Sequence, residues 1–351
     1  MGALSNHLLV VSILAYLLAM LGYAAEYAFG ARSAATLAQE PAAQARPLVA
    51  VAAGAAPAAV TADAAPPGPA PTGPTFGDFG LDHPSEGVAE SRYSERSGDP
   101  QRWWGRAAVG VTVLGALAHA GTLVARGLAA HRVPWGNMYE FVLAICLVGV
   151  ITWLVLLLRW KDARHLGLLV TLALVMLLGF AGARLYAAAA PLVPALNSYW
   201  LKIHVTAVSI GSGILMIGFI AALLTLLRHG YESGRRGFPF ALTARLPGVV
   251  RLERMTFRLH TVGFPIFTFA VIAGAIWAEA AWGRYWGWDP KETWSFITWV
   301  VYAGYLHARA TPSVKRTVAT WLAVAGWATM MFNLYAVNLV ISGLHSYAGV
   351  K

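Results

Sequence analysis

Trp282, Trp286, Trp288, Trp294 and Trp299 crowd into residues 282–299, between two apolar runs. Tryptophan is large, flat and apolar with a single N–H donor, so such a cluster offers a stacking surface for a flat aromatic ligand. It is denser than an interfacial aromatic belt requires. Histidines stand on either side in sequence, His204 before the cluster and His345 after it. A flat apolar platform with two imidazoles suits a metalloporphyrin, whose iron takes axial histidine.

Within the cluster, Asp289-Pro-Lys-Glu292 carries a helix-start signal: Asp at the N-cap, Pro at N1 and Glu at N3, with capping-box spacing. This favours Asp289 and Glu292 as the residues that start a helix, and so aim Trp288 and Trp294, over a role in acid–base chemistry. Arg284, Lys291 and Lys202 fall near the same level. Each can pair with a ligand carboxylate, Arg with bidentate geometry, or contact lipid headgroups and snorkel; the sequence leaves both open.

The elements that must position these residues are apolar. The chain is 58% hydrophobic and 12% charged, with a mean hydropathy of +0.59, which fits an all-α polytopic membrane protein rather than a soluble globule. A crossing helix needs roughly 20 apolar residues. Eight stretches qualify, at about 7–29, 104–125, 138–158, 166–186, 199–227, 259–280, 291–309 and 317–341. The net charge of +10 is better placed in cytoplasmic loops than on a nucleic-acid-binding face. Cys146 stands alone inside an apolar run, which speaks against a disulfide framework or a thiol–disulfide role. The first stretch lacks a basic n-region and reads as a retained helix.

Three parts follow: an N-terminal transmembrane helix over 1–30, a linker over 31–102, and a membrane domain over 103–351. The linker is rich in Ala and Pro, then in mixed charges, with too few large apolar residues for a core; His83 within it reads as solvated. Basic residues concentrate after the third stretch (Arg159, Lys161, Arg164), the fifth (among them Arg228, Arg235, Arg236 and Arg245) and the seventh (Arg309, Lys315, Arg316). These loops are expected to be cytoplasmic. Eight spans then put both termini and the Trp-rich loop outside and the linker inside. They also bring His204, His345 and the tryptophans to one membrane level, with Trp200 one turn before His204 on the same face.

His307 lies at the far end of the seventh stretch, ~26 Å from Pro290 along a straight helix, and an ionisable residue inside a span is a functional candidate by default. His260 falls near the same inner level. His119, in an Ala-rich span, reads as a core histidine; His7, His131, His165 and His229 carry no signal. Glu140 can orient a ligating histidine or sit as a carboxylate at a helix N-terminus.

The segment 282–299 resembles the tryptophan-rich "WWD" signature of haem-handling membrane proteins. Asn137-Met-Tyr-Glu140, Tyr199-Trp-Leu-Lys-Ile-His-Val205, Gly263-Phe-Pro265, Tyr305-Leu-His307 and Gly343-Leu-His-Ser-Tyr347 narrow the likeness to CcsA/ResC-type cytochrome c biogenesis proteins of system II, also labelled CcsB in actinobacteria. This resemblance runs from about residue 104 to the end. It implies a haem-translocating and haem-presenting subunit of a cytochrome c synthase complex, in a bacterial plasma membrane or a thylakoid-like one. Its implied site holds ferrous haem b, as transported substrate, on Trp282, Trp286, Trp288, Trp294, Asp289 and Arg284, with iron ligated by His204 and His345. His307 would serve an inner site, completed by a histidine of a CcsB/ResB (Ccs1)-type partner or by His260. The acceptor is an apocytochrome c C-x-x-C-H segment, kept reduced by thiol-reducing proteins acting indirectly. The rival from another class is a haem exporter or chaperone of the CcmC kind without ligation activity. A permanent b-haem electron carrier and a plain transporter fit less well.

Overall fold

In the computed structural model, residues 1–38, 102–192, 196–341 and 343–344 are described. Their regular structure is helical throughout: α1 Gly2–Ala38, α2 Arg102–Ala130, α3 Met138–Arg159, α4 Gly167–Arg184, α5 Tyr199–Glu232, α6 Val249–Trp282, α7 Pro290–Ala310 and α8 Arg316–Met331. A π-helical segment, Phe332–Ala336, continues α8 into a last short turn, Val337–Leu339. The chain divides into a main body, formed by Met1–Phe29 with Gln101–Lys351, and a second unit, Gly30–Pro100. Of the second unit the description covers the last turns of α1, which runs past the boundary expected near residue 30. The linker and His83 otherwise lie outside the described residues, as does His345.

Seven helices are long and apolar enough to cross a membrane, so the protein is an integral membrane protein. The eighth expected span, α7, is not among them. Its 21 residues would reach ~31 Å, but Lys291, Glu292, His307 and Arg309 dilute its apolar content. Its polar side chains are partly turned inward, for Thr298, Tyr302 and Tyr305 are buried. It packs against α6 and α8 and leaves Phe296, Val300 and His307 exposed.

The core gathers around α5. Leu215, Met216, Ile217 and Ala221 of α5 are fully buried, together with Leu143, Val150 and Trp153 of α3. Local chemistry sets where the helices near the site begin. Asn137 caps α3, its side chain accepting the Glu140 N–H at 2.9 Å, and Ser198 caps α5 through the Trp200 N–H at 3.2 Å. The expected capping box starts α7: Asp289 accepts the Lys291 N–H, and Glu292 reaches back to the Asp289 N–H at 3.1 Å. α6 ends at Gly283, whose φ of 72° is the left-handed C-cap conformation that glycine adopts without strain.

Candidate functional site

A cavity of about 1310 Å³, counted out to its open mouth, lies at the end of the bundle where α6 ends and α7 begins. Its walls come from the start of α3 (Trp135 to Met138), α5 (His204, Val208), α6 (Phe267, Val271, Trp277), the Trp-rich loop (Trp282, Trp286), α7 (Lys291, Ser295, Thr298) and α8 with its π-helical continuation (Met330, Met331, Asn333). Large, mostly apolar walls with a few convergent polar groups are what a small-molecule site requires.

His204 is the imidazole in this wall. Its Nδ1 lies 2.8 Å from the Ala270 carbonyl oxygen. A carbonyl can only accept, so Nδ1 carries the proton and the neutral ring has its lone pair on Nε2. This is the tautomer a metal-ligating histidine adopts, its other N–H held by a backbone carbonyl. The ring lies nearly parallel to Trp277, at 11° and 6.2 Å between centroids, and Trp277 meets Trp282 at 4.9 Å. The close approach to α6 depends on Gly274, where a Cβ would come within 2.8 Å of the His204 ring. Trp200, expected beside His204, joins the same aromatic wall through the cluster of Leu196, Leu201 and Trp277.

The tryptophans of 282–299 do not share one role. Trp282 and Trp286 line the cavity. Trp288 is 65% exposed, held at a φ of 57°, with its ring edge-on to Trp286 at 5.7 Å. Trp294 packs against Phe332 with its ring tilted, at 4.0 Å between centroids, and so braces the π-helical segment. Trp299 points to α6, its indole N–H donating to Thr268 at 2.9 Å. The Arg284 guanidinium folds over Gly287, where it fills the space a Cβ would need, and Arg284 is outside the cavity wall, as is the exposed Lys202. Asp289 is buried, and beyond its cap its Oδ1 accepts the Leu344 N–H at 2.7 Å. That bond anchors the residue just before His345.

Glu140 takes the second of its two expected places, a carboxylate in the first turn of α3. It is fully buried and paired with Arg126 at 2.7 Å and Arg132 at 2.8 Å. It also accepts the Gly136 N–H at 2.7 Å, while the two arginines donate to the carbonyls of Ala187 and Ala190. One carboxylate thus ties α2, the turn before α3 and the strand of loop after α4 into the rim that presents Trp135 to Met138. Arg126 and Arg132 escaped notice in the sequence because each is one basic residue near a span end. Trp277, Ser295 and Asn333 were missed too; a lone Asn within an apolar run was the available signal for the last.

At the other end of α7, His307 is exposed. His260 is buried, with its Nδ1 2.7 Å from the Thr256 carbonyl and its ring between Tyr302 at 5.4 Å and Tyr305 at 4.7 Å. At 100° per residue, His307 falls roughly 170° around α7 from that tyrosine pair. The two histidines share a level but not a face, against the expectation that His260 could complete a site with His307. His119 is buried, with Nδ1 3.4 Å from the Tyr16 hydroxyl, as a core histidine.

Apolar helices, and an aromatic cavity with an oriented imidazole at one end, define a polytopic membrane protein with a cavity of small-molecule size. Residues 135–345 match the family model described as cytochrome C assembly protein. That interval contains all the cavity's wall residues. The chain is 34% identical over 259 residues to the cytochrome c biogenesis protein CcsA of Guillardia theta, covering 68% of this chain and 84% of that one. It is 31% identical over 287 residues to the CcsA of Gloeobacter violaceus, covering 68% and 85%. For the CcsA of a Synechocystis strain the identity is 30% over 300 residues, covering 71% and 90%. The chain belongs to the cytochrome c assembly protein family, as a member of the CcsA type, and its role lies in cytochrome c biogenesis.

Proposed function

We propose that this chain is the haem-presenting subunit of a cytochrome c synthase, holding ferrous haem b as substrate in the aromatic cavity on the outer side of the membrane. The observation that carries the reading is His204: Nδ1–H committed to the Ala270 carbonyl, the ring beside Trp277, in the wall of an apolar cavity. His204 supplies one axial nitrogen and His345 the other. Asp289, which holds Leu344, sets the path of the chain toward His345. Trp282 and Trp286 flank the macrocycle, the exposed Trp288 supports Trp286 edge-on, and Trp294 holds the π-helical wall through Phe332. Arg284, folded on Gly287, steadies the loop.

Two axial nitrogens shield the iron from oxygen. The reaction is the addition of each apocytochrome thiol across a haem vinyl group: sulfur bonds to carbon, the thiol proton goes to the neighbouring vinyl carbon, and no net electrons are exchanged. The chain contributes mainly positioning. The C-x-x-C-H histidine finally replaces one of the chain's ligands. Haem reaches the cavity from an inner site at His307, whose exposed position suits a ligand shared with a histidine of a CcsB/ResB-type partner subunit. Thiol-reducing proteins keep the acceptor cysteines reduced.

The test is co-expression with the partner subunit and an apocytochrome c. The synthase reading expects covalent haem on the acceptor. Haem bound to the complex without any thioether product would support an exporter of the CcmC kind instead. Two substitutions probe the geometry. Gly274→Val forces the His204 ring off the Ala270 carbonyl, and haem affinity is expected to fall roughly 10–100-fold, as for other losses of the group that orients a metal ligand; titration of the purified complex measures it. His260→Ala is expected to leave the inner-site haem spectrum unchanged, because His260 faces Tyr302 and Tyr305 rather than His307.

A further inference from the structure

The polar side chains of the cavity wall concentrate along α7 and the π-helical segment, where Lys291, Glu292, Ser295, Thr298 and Asn333 line it; Asn137, His204, Ser212 and Tyr285 lie elsewhere in the wall. Apart from His204, Lys291 is the one basic side chain among the described residues of that wall, and Glu292 the one acid. Their commitments differ. Glu292 Oε2 accepts the N–H groups of Gly287 at 2.8 Å and Asp289 at 3.1 Å. The neighbouring Asp289 accepts those of Lys291 and Leu344. Both carboxylates accept backbone donors at the positive end of α7, although the buried Glu292 Oε1 has no hydrogen-bond partner among the described residues.

The Lys291 ammonium has three donors. Its hydrogen bond to protein is a long one, 3.4 Å, to the Asn333 carbonyl; the Asp289 carboxylate acts on it electrostatically. The π-helical segment Phe332–Ala336 sets this corner, for Asn333 also donates to Ser295 at 2.9 Å. π-helical turns recur at functional sites. An ammonium in an apolar wall with donors to spare is stabilised by an anionic group on the ligand. Arg284 and Lys202, which compete for this role in the sequence, are outside the wall.

We propose that Lys291 is a specificity-determining residue that binds the carboxylate edge of the ligand and fixes how the macrocycle is turned in the cavity. The proposal rests on the haem reading above. Haem bears two carboxylates on one edge, opposite the vinyl groups that must face the thiols, so gripping that edge orients the reactive one.

The experiment titrates the purified complex, with its partner subunit, with haem and with haem dimethyl ester, whose carboxylates are masked. It uses the wild type, Lys291→Met and Lys291→Arg. The wild type is expected to prefer the free acid by at least about tenfold, the scale of one charge-assisted hydrogen bond in a partly dry site. Lys291→Met should bind the two alike, and Lys291→Arg should retain the preference, which a general disturbance of the wall would not do. Equal binding of acid and ester by the wild type overturns the proposal, as does a preference that survives in Lys291→Met. Failure of both porphyrins to bind the wild type overturns the haem reading itself and this proposal with it. Should Lys291→Met not fold, Lys291→Gln carries the same comparison.

Discussion

Replacing His204 with alanine is expected to cut covalent haem on a co-expressed apocytochrome by roughly 100-fold or more, on the scale of losses at oriented metal ligands. The ring's Nδ1–H is held by Ala270, Trp277 lies beside it, and Gly274 leaves room for it. Such a ring is oriented before the ligand arrives, so little freedom remains to be lost on binding. On the proposed reading, alanine would remove one axial nitrogen and leave the tryptophan walls. The flat ligand would still insert, but its iron would lose one ligand and its fixed position. The fold should persist, because the half-buried ring is held by a hydrogen bond to Ala270, of a kind typically worth about 1 kcal/mol. The check is two measurements on one preparation: covalent haem falls steeply, while the amount of purified protein changes little.

The second large effect is on stability. Glu140→Ala leaves the buried Arg126 and the partly buried Arg132 without their carboxylate, a change that costs on the order of 3–5 kcal/mol. It also releases the Gly136 N–H and uncouples the rim from the loops at Ala187 and Ala190. The midpoint of thermal unfolding in detergent should drop sharply and yield should fall. Glu140→Gln, which keeps the shape and part of the hydrogen bonding, should lie between alanine and wild type. A midpoint unchanged in Glu140→Ala would mean that the network does not hold the rim.

Much of the fold was legible as runs of apolar residues, since seven of the helices meet the length and hydropathy that a membrane imposes. What hydropathy missed were helix ends. α6 begins at Val249, about ten residues before its apolar stretch, because Arg251, Glu253, Arg254 and Arg258 extend the helix without extending the apolar run. Charged residues with long stems are good helix formers. The capping box of α7 was legible because its chemistry is local, within four consecutive residues. By contrast, the partners of His204 come from α6, 66 residues away at Ala270, and no periodicity along α5 announces them. Glu140 was ambiguous for the same reason: its charge partners lie on α2 and in a turn. The five tryptophans read as one platform in sequence, yet the turn at Gly283 and the left-handed φ of Trp288 send them to different neighbours.

The central claim is that His204 Nε2 ligates the iron of haem held in the aromatic cavity. The most direct measurement is the absorption spectrum of the reduced complex carrying His204→Gly, recorded before and after excess imidazole is added. The account predicts that the bands of six-coordinate ferrous haem, present in the wild type, are lost in the variant and return with imidazole, which fills the space vacated by the ring. An unaltered six-coordinate spectrum in His204→Gly without imidazole would contradict it.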